Sequence, residues 1–186
     1  SGPAASVAGA LLYLKITNGI FVEVGGTSTN ICIIKNGKPE IRYVTIKNHP
    51  TCIRSMDVRV LGVAGGSMVQ VKSNTVVGVG PRSAHIAGLK YSCYASMDDL
   101  STGEIIFVKP KPNDIEEYVA IKCKNETYAI TNTCAANALG RIPEGDYSYS
   151  DPATAKFALE ILGKKLGVSG AQVALSILQK LSLIHI

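Results

Sequence analysis

The sequence contains no tryptophan and only three phenylalanines among its 186 residues, and it has no basic run such as KKRK. Proteins that bind nucleic acids generally combine a basic patch with aromatic side chains on which bases stack. Lysine and arginine outnumber aspartate and glutamate, 19 against 14, but these positive charges are scattered along the chain. We therefore expect no nucleic-acid partner.

Charged residues and long apolar runs are also scarce. Only 18% of the residues are charged, against ~25% in an average globular protein, and 46% are hydrophobic, which excludes a disordered, solvated chain. No apolar stretch approaches the ~20 residues that a membrane span requires, and no signal-peptide pattern opens the chain. These features predict one domain, or one large subdomain, that is large enough to bury a core and has no membrane partner.

The five cysteines show neither a C-x-x-C pair nor regular spacing. Such an odd, irregular set predicts reduced, buried thiols and a cytoplasmic protein. The histidines at positions 49 and 85 have no cysteine or histidine nearby at the spacing of a metal cage, so no zinc-type site is expected. Glycine, in contrast, is frequent, with 18 residues that fall in clusters.

The first two thirds of the chain are dominated by strand patterns that follow one predicted helix. Pro3 in the first turn and Asn18-Gly19 at the far end predict this helix over residues 1–17. Strands over 20–24, 30–35 and 40–47, with a hairpin turn at Asn36-Gly37, predict a three-stranded antiparallel meander. Later strands are predicted over 57–64, 68–72, 75–79, 104–109, 118–122 and 127–131, with residues 80–94 irregular and Asp98-Asp99 in a solvated turn.

The pattern becomes helical after Cys134. Asp151 is the predicted cap of one helix, with Pro152 in its first turn, and apolar residues follow at helical spacing. Ser169 and Gln172 form a capping box before the next helix. Strands followed by helices predict a mixed α and β fold, with flanking helices, in one unit.

The last six residues, 181–186, match the translation of a common sequencing adapter, although an ordinary helix end with an apolar tail is the alternative. We expect that residues 1–180 are one part of a longer domain and that residues 181–186 are adapter read-through. Under this interpretation no function belongs to His185.

The loop after the first predicted strand is the main candidate site. Glycines let backbone N–H groups approach an anion without a Cβ in the way, and hydroxyl groups add donors. The candidate phosphate-binding residues are Gly25, Gly26, Thr27, Ser28 and Thr29, and the flanking Glu23 and Asn30 are candidate Mg²⁺ ligands. The alternative is a plain tight turn. No P-loop motif and no G-x-S-x-G nucleophile motif occurs in the sequence.

Two further segments contain candidate residues. Gly65, Gly66 and Ser67, with Asp57 upstream, provide a second possible contact for a nucleotide or substrate; a bulged bend between strands is the alternative. Arg82 could bind a carboxylate or phosphate with two parallel hydrogen bonds, and His85 could transfer a proton. The alternatives there are an arginine that ties down a loop and a surface histidine.

Several of these segments together resemble one protein family. They are, in chain order, GPAASV at 2–7, VGGTSTN at 24–30, GVAGGS at 62–67 after Asp57, VGPRSA at 79–84, and TNT at 131–133 followed by ANALGR at 136–141. This succession resembles the hydantoinase/oxoprolinase family, which includes the hydantoinase A subunit, 5-oxoprolinase and acetone carboxylase. The resemblance extends to about residue 180.

The resemblance implies a ribonuclease-H-like, actin-like ATPase lobe that contains a mixed sheet. In such proteins two lobes clasp ATP and Mg²⁺. Loop 25–29 would be the second of two phosphate loops, and the first would lie in an N-terminal lobe that this sequence lacks. Glu23 and Asn30 stand where the family has aspartate, and with Asp57 they are the candidate catalytic residues.

The function that the resemblance implies is ATP-dependent hydrolysis of a cyclic amide, activated by phosphorylation of its carbonyl oxygen. ATP and Mg²⁺ are the implied cofactors, and a hydantoinase B-type subunit is the implied partner. The alternatives are a small-metabolite or sugar kinase of the same superfamily, a non-catalytic ATP-binding scaffold, and a purely structural fragment.

Overall fold

A computed structural model describes residues 2–183 of the chain. Its internal contacts divide these residues into two units. The first unit comprises residues up to Val24 together with Ser28–Leu61, and the second comprises Gly25–Thr27 and the residues from Gly62 onward.

The first unit consists of one helix and six strands. Helix α1 spans Gly2–Leu14 and ends three residues before the predicted boundary, where Lys15 adopts a positive φ of 50°. The strands are β1 (Gly19–Val24), β2 (Thr29–Lys35), β3 (Lys38–Pro39), β4 (Ile41–Ile46), β5 (His49–Met56) and β6 (Val58–Leu61).

Strand β2 is central to the main sheet of this unit. It pairs with β1 along its whole length, with β6 near its start and with β3 near its end, always antiparallel. The turn from β2 to β3 has positive φ at Asn36 and Gly37, 51° and 72°. This is the backbone that a tight two-residue hairpin requires, so the turn predicted at these two residues is confirmed.

The prediction that residues 40–47 form the third strand of a meander is wrong. Of these residues, only the Glu40 amide donates to β2, at the Ile33 carbonyl; the two-residue β3 pairs with β2, and β4 (Ile41–Ile46) pairs with β5 in a separate sheet. The turn that joins β4 to β5 has positive φ at both Lys47 and Asn48. A Lys-Asn turn lacks the glycine that usually marks such hairpins, so β5 was missed in the sequence.

The second unit begins with a hairpin and a four-stranded sheet. Strands β7 (Ser67–Lys72) and β8 (Thr75–Ser83) form the hairpin about Ser73-Asn74, as predicted. The next elements along the chain are α2 (Ala84–Ala87), β9 (Lys90–Tyr91), α3 (Met97–Leu100), β10 (Glu104–Val108), β11 (Tyr118–Lys122) and β12 (Thr127–Ala129). The four strands form a sheet in the order β10-β11-β12-β9, in which only the β9–β12 pair is parallel. Residues 80–94 are thus more ordered than the prediction of an irregular segment.

Three helices complete the second unit: α4 (Asn132–Ala138), α5 (Pro152–Leu166) and α6 (Gly170–Leu183). The Asp151 carboxylate accepts hydrogen bonds from the backbone N–H groups of Ala153 and Thr154, so this predicted cap is confirmed. The predicted capping box is also present, because Ser169 and Gln172 exchange side-chain to backbone hydrogen bonds at 3.0 and 3.2 Å. Residues 184–186, the end of the predicted adapter segment, lie outside the described residues.

The core of the second unit lies between its strands and helices α4–α6. The predicted stripe of α5 faces this core, and Leu166 at its end is half-buried. The stripe packs with residues of β7, β8, β11 and α6. Fully buried members of the core include Val69, Val119, Ile121, Ile130, Ala155, Ala158, Leu159, Leu162 and Ile177.

No single helix within residues 2–183 is both long and apolar enough to cross a bilayer. Helices α5 and α6 reach that length and apolarity only when taken together, and a bend of 92° separates them.

The prediction that Asp98-Asp99 forms a solvated turn is wrong for Asp99, which is 7% exposed. Its carboxylate accepts hydrogen bonds from the Tyr128 hydroxyl at 2.7 Å and from the Asn125 amide nitrogen at 3.0 Å. A buried carboxylate needs such donors, because burial without them is costly. Asp99 therefore joins α3 to β12 and to the turn that precedes it.

This arrangement predicts that Tyr128→Phe destabilises the protein by about 1–3 kcal/mol, since a buried charged acceptor loses one of its two donors. Urea unfolding measures the change. Tyr94→Phe is the control, because the Tyr94 hydroxyl donates to the Ser148 carbonyl at an exposed position. Equal losses in the two variants would contradict the account.

Candidate functional site

The loop between β1 and β2 is held by two backbone hydrogen bonds. The Gly65 amide donates to the Gly25 carbonyl at 3.2 Å, and the Gly66 amide donates to the Gly26 carbonyl at 2.9 Å. Gly25 and Gly26 are exposed. Within the described residues, the amides of Gly26 and Thr27 donate to no protein acceptor. The carbonyls of Gly25 and Gly26 are therefore occupied while the amides of Gly26 and Thr27 remain available to a ligand.

A pair of hydroxyl groups lies beside this loop. Thr27 Oγ1 is 3.2 Å from Ser83 Oγ, and Ser83 Oγ also accepts a hydrogen bond from the Ile86 amide at the start of α2. One of the two hydroxyl groups donates its proton to the other, and the second hydroxyl proton can be donated to a ligand. We call Gly25–Thr27, Gly65, Gly66 and Ser83 the glycine–hydroxyl site. All of these residues belong to the second unit.

The second glycine cluster supports the loop through close packing. A Cβ added to Gly66 would lie 2.2 Å from the Tyr91 hydroxyl and 2.5 Å from the Gly26 carbonyl oxygen. At Gly65 an added Cβ would lie 2.8 Å from Thr133 Oγ1. The buried Ser67 accepts a hydrogen bond from the Ala64 amide at 2.8 Å. Neighbouring groups of the chain therefore fill the space beside Gly65 and Gly66, and the amides of both glycines already donate hydrogen bonds within the chain. This agrees with the alternative interpretation of the segment, a bend between two strands.

Glu23 and Asn30 face each other on β1 and β2 in the first unit. Asn30 Nδ2 donates to Glu23 Oε2 at 2.8 Å, and the Ser6 hydroxyl donates to Glu23 Oε1 at 3.0 Å. Asn30 is 8% exposed, and its Oδ1 accepts no hydrogen bond from any described residue. A carboxylate next to an unsatisfied amide oxygen is a donor set that suits Mg²⁺, which needs few protein ligands. Residues 2–183 contain no group of three or more His, Cys, Asp and Glu side chains that could hold a metal by themselves.

The other candidates, which are Ser28 and Thr29 of the loop and the acidic Asp57, also lie in the first unit. Ser28 is half-buried and Thr29 is buried. Asp57 is half-buried and forms an ion pair with Arg42, whose Nε is 3.0 Å from the carboxylate. The structure therefore pairs Asp57 with a cation and not with Glu23 or Asn30.

Arg82 is engaged by a partner within the chain. Its Nε lies 2.9 and 3.0 Å from the two carboxylate oxygens of Asp114, and its Nη2 donates to the same group. The hydrogen bond from Arg82 holds the pKa of Asp114 below its ordinary value. This geometry matches the alternative of an arginine that ties down a loop. His85 is exposed on the short helix α2.

Three residues that contact the glycine–hydroxyl site were given no site role in the sequence analysis, although two of them lie in the TNT segment at 131–133. Thr133 donates to the Gly65 carbonyl through both its amide, at 2.9 Å, and its hydroxyl, at 3.0 Å. Asn132 Nδ2 donates to the Ala64 carbonyl at 2.8 Å, and Tyr91 packs on Gly66. Thr133 and Asn132 lie more than 60 positions along the chain from the groups they contact, so no local pattern indicates these contacts.

Comparisons with known proteins agree on the family and the fold. A family model described as "Hydantoinase/oxoprolinase" matches residues 1–184. A nucleotide-free acetone carboxylase, described in a study of ATP-dependent acetone carboxylation, is 19% identical with a TM-score of 0.60 over 94% of this chain. An ATP-dependent caprolactamase from Pseudomonas jessenii is 23% identical with a TM-score of 0.56 over 97% of this chain. The predicted mixed α/β fold is confirmed.

The chain spans only 22% of that acetone carboxylase and 23% of that caprolactamase. The comparison with curated proteins returned no match.

The packing at the site predicts different responses of two neighbouring glycines. Gly66→Ala should destabilise the protein by about 1–3 kcal/mol, because its Cβ would collide with the Gly26 carbonyl and the Tyr91 hydroxyl. Gly26→Ala should have little effect on stability, since its Cβ would meet only the Tyr91 hydroxyl at 3.6 Å. Thermal unfolding of both variants tests this difference, and a larger loss in Gly26→Ala would show that the packing is wrong.

Proposed function

Since the chain belongs to the hydantoinase/oxoprolinase family, we propose that it provides the phosphate-binding loop of an ATP-dependent enzyme that hydrolyses cyclic amides. The observation that carries this proposal is the loop at Gly25–Thr27, in which the amides of Gly65 and Gly66 bind the Gly25 and Gly26 carbonyls, while the amides of Gly26 and Thr27 have no protein acceptor among the described residues. Backbone amides in this state, next to hydroxyl groups, are suitable donors for phosphate oxygens.

The residues of the loop would act by binding and orientation. Transfer of a phosphoryl group needs little covalent help from the protein, so catalysis depends on donors held in fixed positions. The hydrogen bonds to Gly25 and Gly26 hold the loop before a ligand arrives, and the Thr27–Ser83 contact holds a hydroxyl group beside it. ATP would supply the phosphoryl group that turns the amide oxygen of the substrate into a leaving group.

Glu23 and Asn30 are the residues that we expect to hold Mg²⁺. The unsatisfied Oδ1 of Asn30 and the carboxylate of Glu23 are oxygen ligands of the type that this ion prefers. When bound, Mg²⁺ would supply the positive charge that phosphoryl transfer requires. The Oδ1 of Asn30 would bind the ion while its Nδ2 stays hydrogen-bonded to Glu23.

One observation favours a second candidate, a non-catalytic ATP-binding scaffold. Both oxygens of Glu23 already accept hydrogen bonds, one from Ser6 and one from Asn30. A carboxylate that is satisfied in this way binds a cation less readily than a free one. The scaffold would bind ATP without a strong dependence on Mg²⁺, and the enzyme would require the ion.

The partners and the cellular compartment are part of the same proposal. We expect a cyclic amide as the substrate and a hydantoinase B-type subunit as the protein partner. Four of the five free cysteines are buried, and Cys52 is exposed. Free thiols fit a reducing compartment such as the cytoplasm.

The test of the phosphate loop is the affinity of the 186-residue chain for ATP with Mg²⁺, measured by isothermal titration calorimetry. Gly26→Val should weaken binding by at least tenfold, because its side chain occupies the space next to the loop amides. Gly78→Val is the matched control, since its added Cβ also has 3.6 Å of clearance, in this case from the Gln70 side chain.

The control variant should bind as the unchanged chain does. A folded Gly26→Val variant with unchanged affinity would remove the loop from the site. Repeating the titration without Mg²⁺ separates the two candidates: loss of binding favours the enzyme, and unchanged binding favours the scaffold.

A further inference from the structure

The hydroxyl group of Tyr91 lies directly against the glycine–hydroxyl site. The missing Cβ of Gly66 leaves space that this hydroxyl fills, since an added Cβ would be 2.2 Å from it. An added Cβ on Gly26 would be 3.6 Å from the same hydroxyl. The Tyr91 hydroxyl is therefore next to Gly26 and Gly66, the two glycines that are joined by one of the loop hydrogen bonds.

Two contacts fix the position of Tyr91. Its backbone pairs with Ala129 in the parallel β9–β12 ladder. Its ring stacks on that of Tyr94, with centroids 5.9 Å apart and planes inclined by 26°. A side chain held at both its backbone and its ring loses little conformational entropy when its hydroxyl group meets a ligand.

The hydroxyl group of Tyr91 is available to donate a hydrogen bond. In the part of the chain that the structure describes, it donates to no acceptor. Burial raises the pKa of Tyr91, so the phenol keeps its proton well above neutral pH. The other hydroxyl groups of the site, on Thr27 and Ser83, already contact each other.

We propose that Tyr91 is a ligand-binding residue of this site, whose hydroxyl donates a hydrogen bond to a phosphate oxygen of the polyphosphate held by the Gly25–Thr27 loop. This inference rests on the proposed function of the loop. A phenol is a neutral donor in a fixed place, so it adds affinity for an anionic oxygen through geometry rather than through net charge. The other interpretation is that Tyr91 only fills the space that Gly66 leaves.

The first test compares the affinity of two hydroxyl-deletion variants for ATP with Mg²⁺, using the whole 186-residue chain. Tyr91→Phe keeps the ring, its stacking and its packing but removes the donor, and binding should weaken by about tenfold. Tyr94→Phe is the matched control, because it removes the hydroxyl of the stacked neighbour, which donates to the Ser148 carbonyl. Its affinity should stay within twofold of that of the unchanged chain.

The second test reports on the hydroxyl itself. With tyrosine labelled by ¹³C at Cζ, addition of inorganic pyrophosphate should shift the resonance of Tyr91 and leave that of Tyr94 in place. If Tyr91 only fills space, the Tyr91→Phe variant should bind ATP with unchanged affinity, and pyrophosphate should not shift the Cζ resonance of Tyr91.

The outcomes separate this inference from the function on which it rests. If the unchanged chain binds neither ATP nor pyrophosphate, the loop is not a phosphate site and both proposals fail. If it binds ATP, loses affinity in Gly26→Val, and keeps full affinity in Tyr91→Phe with no shift at Tyr91 Cζ, the role of Tyr91 is overturned while the loop stands.

Discussion

Two hydrogen bonds, from the amides of Gly65 and Gly66 to the carbonyls of Gly25 and Gly26, determine the state of the whole candidate site. Both bonds lie within the second unit, to which Gly25–Thr27 and the residues from Gly62 onward belong. They also divide the polar groups of the loop into two classes, since the carbonyls are satisfied inside the protein and the amides are not. An exposed backbone with this division is suited to anions and not to cations.

The rest of the second unit maintains these two bonds. Thr133 and Asn132, at the start of α4, donate to the carbonyls of Gly65 and Ala64. Helix α4 in turn packs through Cys134, Ala135 and Ala138 into the core formed with α5 and α6. The loop thus rests on a helix that is packed into the core, although the sequence assigned no site role to any residue of α4.

Local patterns predicted local features well. The Asn36-Gly37 turn, the Asp151 cap and the Ser169/Gln172 capping box are each determined by residues a few positions apart, and each is present. The pairing of β4 with β5 and the burial of Asp99 depend on partners that no short pattern reveals. For the same reason the candidate loop was found through its own glycines, while Tyr91 required the structure. Arg82 lies in a clear motif, but the motif does not reveal its partner Asp114, because that residue is 32 positions away along the chain.

The most direct test of the account follows the backbone amides of the ¹⁵N-labelled chain by NMR while pyrophosphate is added. The account predicts that the largest shifts occur at the amides of Gly26 and Thr27, which have no protein acceptor among the described residues. The amides of Gly65 and Gly66 should shift less, because their hydrogen bonds to the loop are kept. Largest shifts elsewhere, for example at Lys164 and Lys165 beside the groove near Phe157, would contradict it.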